Sequence, residues 1–374
     1  MKIIHCADVH LDSRLLANLE ERKARQRREE ILHTFLKMID YAVENGVEAV
    51  LIAGDLFDTR RVSAGVRSAV DSAIRNHPDI NFYLLKGNHD AAGFLDAVEE
   101  LPENLKLFSE QWTSYVLDAE RQGRLVLTGA ELVPGNSETL SSSLVLDLDK
   151  FNIVMLHGQQ AQYTSKNKAE TIALGALRGK GIDYLALGHV HEHHMEELDK
   201  RGVWCYSGCL EGRGFDECGE HGFVLLDIDE ESLEYTRQMI PFAGRRFHVL
   251  KVDVTGCADS SQMAERVRET LMESEESGES RISPRDMVKV VLVGRLDVSC
   301  EKNVEFIARK LEDMYFFIKV YDETKLAVDL EKFLRDESLK GEFVRQVFSS
   351  DLEEETKLTV IRYGLQALSG EEIE

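Results

Sequence analysis

Three things are scarce or missing in this chain of 374 residues. No apolar run approaches the roughly 20 residues that cross a bilayer, which excludes a helical membrane protein. The start, MKIIHCADVH, turns polar within five residues, so no signal peptide is expected. The six cysteines, at positions 6, 205, 209, 218, 257 and 300, follow no paired framework. In a chain read as having no leader they are expected to be reduced thiols, and the expected compartment is the cytoplasm. Positive charge is also short. Against 68 Asp and Glu there are only 45 Lys and Arg, leaving a formal net charge of -23. Phosphate neutralisation drives nucleic-acid binding, so such a chain grips nucleic acid poorly unless a basic patch, a partner or bridging cations help.

What is present describes a globular protein. Apolar residues make up 43% and charged residues 30%, enough for one large core and a second small one. Short apolar runs at 2–4, 49–53, 82–85, 153–156 and 184–187 read as strands. Between them the apolar spacing is helical, best seen at Ile31, Phe35, Met38, Ile39, Ala42 and Val43, a stripe closed by Asn45-Gly46. Strands alternating with helices predict an α/β layered domain. Further strands are expected at 124–129, 143–148 and 223–229. Their shorter links suggest a second sheet rather than one doubly wound sheet. The pattern changes near 241–246. Strands at 247–254, 287–293 and 316–321, with helices at 260–272 and 304–314, predict a small α/β unit, and 273–284 reads as a solvated loop. From Lys325 the chain reads as charged and helical.

Each of the five apolar runs ends in a polar cluster: HCADVHLD, GDLFD, GNHD, HGQQ and GHVH. Turn chemistry accounts for Gly, Asn and Asp where a strand stops. It does not account for His. Each cluster alone has an ordinary reading, as a surface pair, a turn or a solvated strand end. Five in order, each at the end of an apolar run, point to metal. Asp8, His10, Asp55, Asp58, Asn88, His89, His157, His189 and His191 offer carboxylates, neutral imidazoles and one amide oxygen, the donors of divalent ions. They are too many for one tetrahedral ion and enough for two octahedral ions sharing a carboxylate. Two ions about 3.5 to 4 Å apart can hold the attacking and leaving oxygens of an in-line phosphoryl displacement. On this reading Asn88 binds an ion while His89 faces the substrate.

The order DxH, GDxxD, GNHD, HG, GHxH resembles the calcineurin-like metallophosphoesterases over the first 230 or so residues. The resemblance implies a four-layer αββα sandwich with two metal ions on its rim. It implies that Asp8, His10, Asp55 and His191 hold one ion, that Asp55 bridges, and that Asn88, His157 and His189 complete the other. His89 would protonate the leaving oxygen or stabilise the transition state, and Asp58 would orient it. Asp90 would stabilise its turn.

The segments HCADVHLDS and YSGCLEGRGFDECGEHGF resemble the SbcD-type DNA repair exonucleases, nearest to their YhaO-like branch. One departure is that the chain opens Ala7-Asp8-Val9-His10 rather than with a Ser-Asp-Trp-His motif. The resemblance implies a nuclease domain over 1–245, a DNA-capping α/β domain over 246–322 and a helical tail over 323–374. That tail would dock on an SbcC-like coiled-coil ATPase, the nuclease would form a homodimer, and the ions would be Mn²⁺, although Fe, Zn or Mg would suit the same donors. Arg60, Arg61 and Arg213 are the expected DNA contacts. Arg22, Lys23, Arg25, Arg27 and Arg28 fit a phosphate patch or a solvated helix face equally well. A structural zinc on Cys205, Cys209, Cys218 and His221 is not expected, because the spacing lacks the paired pattern. Two rival functions remain: a phosphatase or phosphodiesterase for a small molecule or lipid precursor, which the acidic balance favours, and a non-catalytic interaction subunit.

Overall fold

The computed structural model describes residues 1–13, 19–58, 62–90, 100–160, 171–276, 282–297, 300–327, 333 and 335–368. The chain divides into two compact units, Met1–Arg246 and Phe247–Glu374.

In the first unit the strands are β1 (Lys2–Cys6), β2 (Val47–Ala53), β3 (Asn81–Leu85), β4 (Leu105–Leu107), β5 (Thr113–Val116), β6 (Leu125–Gly129), β7 (Phe151–His157), the two-residue β8 (Gln159–Gln160) and β9 (Thr171–Ile172), β10 (Tyr184–Gly188), β11 (His194–Glu197), β12 (Val203–Tyr206), β13 (Gly222–Ile228) and β14 (Tyr235–Pro241). Its helices are α1 (Glu21–Glu44), α2 (Ala64–Arg75), α3 (Ser137–Ser143) and the single turn α4 (Leu174–Leu177). Two six-stranded sheets form, in the orders β14-β13-β1-β2-β3-β4 and β11-β12-β10-β7-β6-β5.

The alternation of side chains along a strand builds the layers. On β1 and β2, Ile4, Val50 and Ile52 face α1 and α2 and join Ile31, Phe35, Met38 and Val70 in one core. Their neighbours Ile3, Ala49 and Leu51 face the other way, into a second core with Leu127, Met155 and Ala186 of the second sheet. The outer face of that sheet packs Val154, Leu185 and Trp204 against Leu177 of α4 and Ile172. The order is therefore helices, sheet, sheet, helices, the mixed α/β architecture expected. Burying one such Phe or Leu side chain contributes about 1.5–3 kcal/mol.

Some local expectations fail. Val43 belongs to the helical stripe by sequence yet is 53% exposed, because it lies one residue, about 100° of rotation, past buried Ala42. The strand expected at 143–148 does not form. Ser143 ends α3, and beyond it Val145 and Leu148 are exposed at 89% and 62% without a neighbouring strand.

The second unit begins with parallel strands β15 (Phe247–Asp253), β16 (Met287–Val293) and β18 (Phe317–Asp322). Helices α5 (Ser260–Glu276) and α6 (Val304–Leu311) supply the crossovers that parallel neighbours require. Val252, Met263, Val267, Val290 and Ile307 fill its core. Helix α5 runs to Glu276, into the segment read as a loop. The short strands β17 (Arg295–Asp297) and β19 (Lys325–Ala327) pair, so the chain at Lys325 is a strand and not the start of a helix. The helices of the tail are α7 (Leu339–Phe348) and α8 (Glu354–Leu368). They share Val344, Ile361 and Leu365 with Phe333 in a small cluster of their own.

Candidate metal centre

Where β1, β2, β3, β7 and β10 end, the backbone changes hand. Six described non-glycine residues have positive φ, and four of them are Asp8, His10, Asp55 and His189. Such conformations cost about 1–3 kcal/mol each and persist only where surroundings impose them. Here they are imposed by hydrogen bonds. The amide of Asp8 donates to Gly54 O at 3.0 Å, and that of His10 to Asp55 O at 3.0 Å. The amide of His189 donates to Asp8 Oδ2 at 2.9 Å. Two glycines let the loops close. A Cβ on Gly54, whose φ is +94°, would strike the His157 ring, and one on Gly188 would strike Ala53 O and the same ring.

Among the described residues the rim gathers its donors in four overlapping groups, of which two contain Asp8 and two, His10 with Asp58 and His89 and His191 with Cys209 and Glu217, flank them. In one of the first two, Asp8, His10 and His191 converge. The Nε2 atoms of His10 and His191 are 3.2 Å apart, and each is within 3.9 Å of Asp8 Oδ1. Two imidazoles at right angles on one ion, each about 2.1 Å from it, would place their nitrogens about 3.0 Å apart. In the other group Asp8, Asp55 and His157 converge. His157 Nε2 lies 3.4 Å from Asp55 Oδ2 and 3.0 Å from Asn88 Oδ1, while its Nδ1 is held by Ala53 O at 2.9 Å. The His189 ring stands edge-on to His157 at 5.4 Å between centroids. Asp55 Oδ2 is also 3.8 Å from His10 Nε2, which places its carboxylate between the groups. The donor set is oxygen and imidazole nitrogen throughout, and it fits two hard or borderline divalent ions.

His89 stands apart from this inner set. Its side chain is 47% exposed, and its Nδ1 is 3.6 Å from Asp58 Oδ1. Its amide donates to Asp55 Oδ1 at 2.8 Å, so the GNHD turn is tied to the β2 loop. Asp90 ties the same loops from beneath, accepting from the amides of Phe57 at 2.8 Å and Gly87 at 3.0 Å.

The electrostatics favour a cation. Burial alone would raise the Asp55 carboxyl, but the hydrogen bond and charge of His157, with His10 behind them, hold it below the ordinary carboxylate range. Burial likewise opposes ionisation of Asp58, and His10 and Arg213 reverse it. His10 is lowered, mainly by burial, which leaves a neutral ring able to bind metal. Asp90 goes the other way: burial lifts it to about 6 despite the Gly87 and Phe57 amides.

Sequence reasoning missed Glu217. Its Oε1 is 2.6 Å from His191 Nδ1, and its carboxyl is held at about 2: burial opposes ionisation, but His191 and Arg213 prevail. The available signal was its place four residues after Arg213 in a glycine-containing loop. Arg213 itself is 19% exposed and donates to Asp58 Oδ1 at 3.0 Å, which places it beside the donor groups. Arg60 and Arg61 lie outside the described residues. Arg27 is no surface residue. It is 1% exposed and donates to Glu211 Oε2 at 3.0 Å and Gly212 O at 2.9 Å, whereas Arg25 stays exposed and pairs with Glu29. Buried His5 hydrogen-bonds the Tyr184 hydroxyl at 2.9 Å. Cys205 and Cys209 are buried and Cys218 is exposed.

The family model described as calcineurin-like phosphoesterase matches residues 1–193, more than half of the chain. The chain belongs to that family. Calcineurin-like phosphoesterases use two divalent metal ions, and the chemistry of the site is phosphoester hydrolysis. Among curated proteins the chain is 26% identical over 292 residues to the uncharacterized metallophosphoesterase YhaO of Bacillus subtilis, covering 74% of this chain and 69% of that protein. It is 27% identical over 361 residues to the DNA double-strand break repair protein Mre11 of Methanopyrus kandleri, covering 90% of this chain and 76% of that one. To the Mre11 of Methanosarcina acetivorans it is 28% identical over 268 residues, 68% of this chain and 41% of the relative. The calcineurin-like phosphoesterase match ends near the GHVH cluster and includes all five polar strand ends. No helix among the described residues is long and apolar enough to cross a membrane.

Proposed function

We propose that this protein is a two-metal phosphodiesterase that cleaves DNA, acting as the nuclease subunit of an SbcCD-like repair complex in the cytoplasm. The observation that carries the reading is the convergence of side chains from five separate strand ends on one rim, with Asp55 between two donor groups. Asp8, His10, Asp55 and His191 would hold one ion. Asp55, Asn88, His157 and His189 would hold the other. Mn²⁺ is the proposed metal, with Fe, Zn or Mg as the other candidates. When bound, such a pair supplies Lewis acidity and an activated water for in-line displacement.

The chain's own groups do the rest. His89, exposed and beside Asp58, would give a proton to the departing oxygen and meet the charge that develops there. The carboxylates beside the imidazoles keep the inner donors oriented. Two relatives named for DNA double-strand break repair support DNA as the substrate. The second unit is proposed as a DNA-capping domain. Its helical tail would dock on an SbcC-like coiled-coil ATPase, and the nuclease would pair as a homodimer.

One observation favours a second reading, a small-molecule phosphoesterase. The chain is strongly acidic, and Arg27 and Arg213, two of its candidate phosphate contacts, are committed to carboxylates. Purified protein in Mn²⁺ at low salt, given end-labelled duplex and single-stranded DNA beside bis-p-nitrophenyl phosphate, separates the two. DNA shortening that vanishes in His89→Ala supports the nuclease. Diester cleavage with DNA untouched, even after addition of the ATPase subunit, would overturn it in favour of the small-molecule enzyme.

A further inference from the structure

Arg213 and Glu217 are joined to the metal-facing imidazoles by an unbroken set of contacts. Glu217 Oε1 meets His191 Nδ1 at 2.6 Å. Its Oε2 accepts the amide of Arg213 at 2.7 Å and lies 3.8 Å from Cys209 Sγ. The side chain of Arg213 then forks. Nη1 donates to Asp58 Oδ1 at 3.0 Å, while Nη2 is 3.5 Å from Glu217 Oε1 and 3.3 Å from His191 Nδ1. Asp58 Oδ1 in turn stands 2.9 Å from His10 Nδ1, in a bent approach. Each imidazole therefore has a carboxylate at Nδ1, and one guanidinium spans both carboxylates.

We propose that Arg213 and Glu217 are positioning residues that brace His10 and His191 as a pair on one ion. The inference rests on the two-metal reading above. A carboxylate hydrogen-bonded at Nδ1, as Glu217 is to His191, fixes the proton there, turns the Nε2 lone pair toward the metal and raises the ligand's basicity. Asp58 meets His10 Nδ1 as a close charge without hydrogen-bond geometry. The Nε2 atoms are 3.2 Å apart, a spacing that serves one ion only if both rings keep their angle while it binds. The brace supplies that constraint. A planar fork can engage two carboxylates at once, which the single ammonium of Lys cannot. Its charge also offsets Asp58 and Glu217 at a rim already bearing Asp8 and Asp55.

The brace stands on rigid ground. The residue before Arg213, Gly212, has its carbonyl held by the buried Arg27 guanidinium at 2.9 Å, and Glu211 accepts from Arg27, from Thr34 Oγ1 at 2.6 Å and from the Gly244 amide at 2.6 Å. The Glu217 carbonyl lies 3.0 Å from His221 Nε2, and His221 Nδ1 is 3.2 Å from Cys209 Sγ. Loop and side chains are thus fixed to α1 and to β13.

The test is metal binding and not activity alone. Wild type, Arg213→Met, Arg213→Lys, Glu217→Gln and the Arg213→Met/Glu217→Gln double variant are titrated with Mn²⁺, by calorimetry for affinity and by electron paramagnetic resonance for coupling between the ions. Metal-free melting checks that each variant folds. The expected result is two coupled ions in wild type. Each single variant should hold one ion about 10- to 100-fold more weakly and the other unchanged, with an uncoupled spectrum at limiting Mn²⁺. Lys should not rescue, and the double variant should lose less than the sum of the single losses. Wild-type affinity for both ions in the variants, equal weakening of both ions, or additive losses would overturn the brace alone. Fewer than two ions in wild type would overturn the two-metal reading, and the brace with it.

Discussion

His10 and His191, 181 residues apart in the chain, bring their Nε2 atoms to 3.2 Å. At this distance a proton on one ring can bridge the pair, and a divalent cation held between the two nitrogens would take its place in the folded chain alone. Divalent metal should therefore stabilise the fold. Free Mn²⁺ at about 100 times its dissociation constant adds about 2.7 kcal/mol per site if the unfolded chain does not bind it. Thermal melting in EDTA and in Mn²⁺ measures this. An unchanged midpoint would contradict it.

Asp55 stands between the donor groups, 3.8 Å from His10 Nε2 and 3.4 Å from His157 Nε2. Asp55→Ala should cost both ions, which calorimetry will show as loss of all tight Mn²⁺ binding. Two tightly held ions in that variant would remove Asp55 from its bridging place.

His89 is the exposed member of the site; it clusters with His10 and Asp58, outside the two groups that contain Asp8. His89→Ala should lower hydrolysis of a phosphodiester by at least about 100-fold, the lower range of general acid–base contributions. Metal content should stay at the wild-type level. An emptied site would make His89 a ligand instead.

Arg27 is the largest fully buried side chain in the molecule as described. It reaches Glu30 Oε2 and Glu211 Oε2, each at 3.0 Å; Glu30 keeps Arg245, but loss of Arg27 leaves the buried Glu211 without its cation. Arg27→Ala should cost about 3–5 kcal/mol, read from urea unfolding of the metal-free protein. A cost below about 1 kcal/mol would place this network among surface ion pairs.

His5 carries a pH dependence. Burial holds its folded pKa at about 3, against 6.5 for an ordinary His. Between those values the unfolded chain binds the extra proton. Its contribution to stability is thus present above pH 6.5 and is lost as pH falls toward 3. Urea midpoints of the metal-free protein between pH 7 and 4 should fall more steeply for wild type than for His5→Gln. Parallel slopes would contradict the assignment.

The fold and the inner site were legible because strand ends are local. An apolar run followed by Asp-x-His or Asn-His-Asp is written in consecutive residues, and parallel pairing brings such ends to one rim. What lay across the chain was not legible. Arg27 and Glu211 are 184 residues apart, so nothing in the Arg-rich start of α1 marks one cation as buried and its neighbours as exposed. Glu217 is one acid among several in its loop, and only the folded chain puts it on His191. The strand expected at 143–148 had suitable residues but no neighbour to pair with, and β19 at Lys325–Ala327 is too short for its charged surroundings to reveal.

The central claim is that this rim holds two ions, and anomalous scattering from a crystal soaked in Mn²⁺ tests it most directly. Two peaks about 3.5 to 4 Å apart, one beside Asp8, His10 and His191 and one beside Asn88, His157 and His189, with Asp55 between them, are the predicted result. A single peak, or none at these residues, would contradict it.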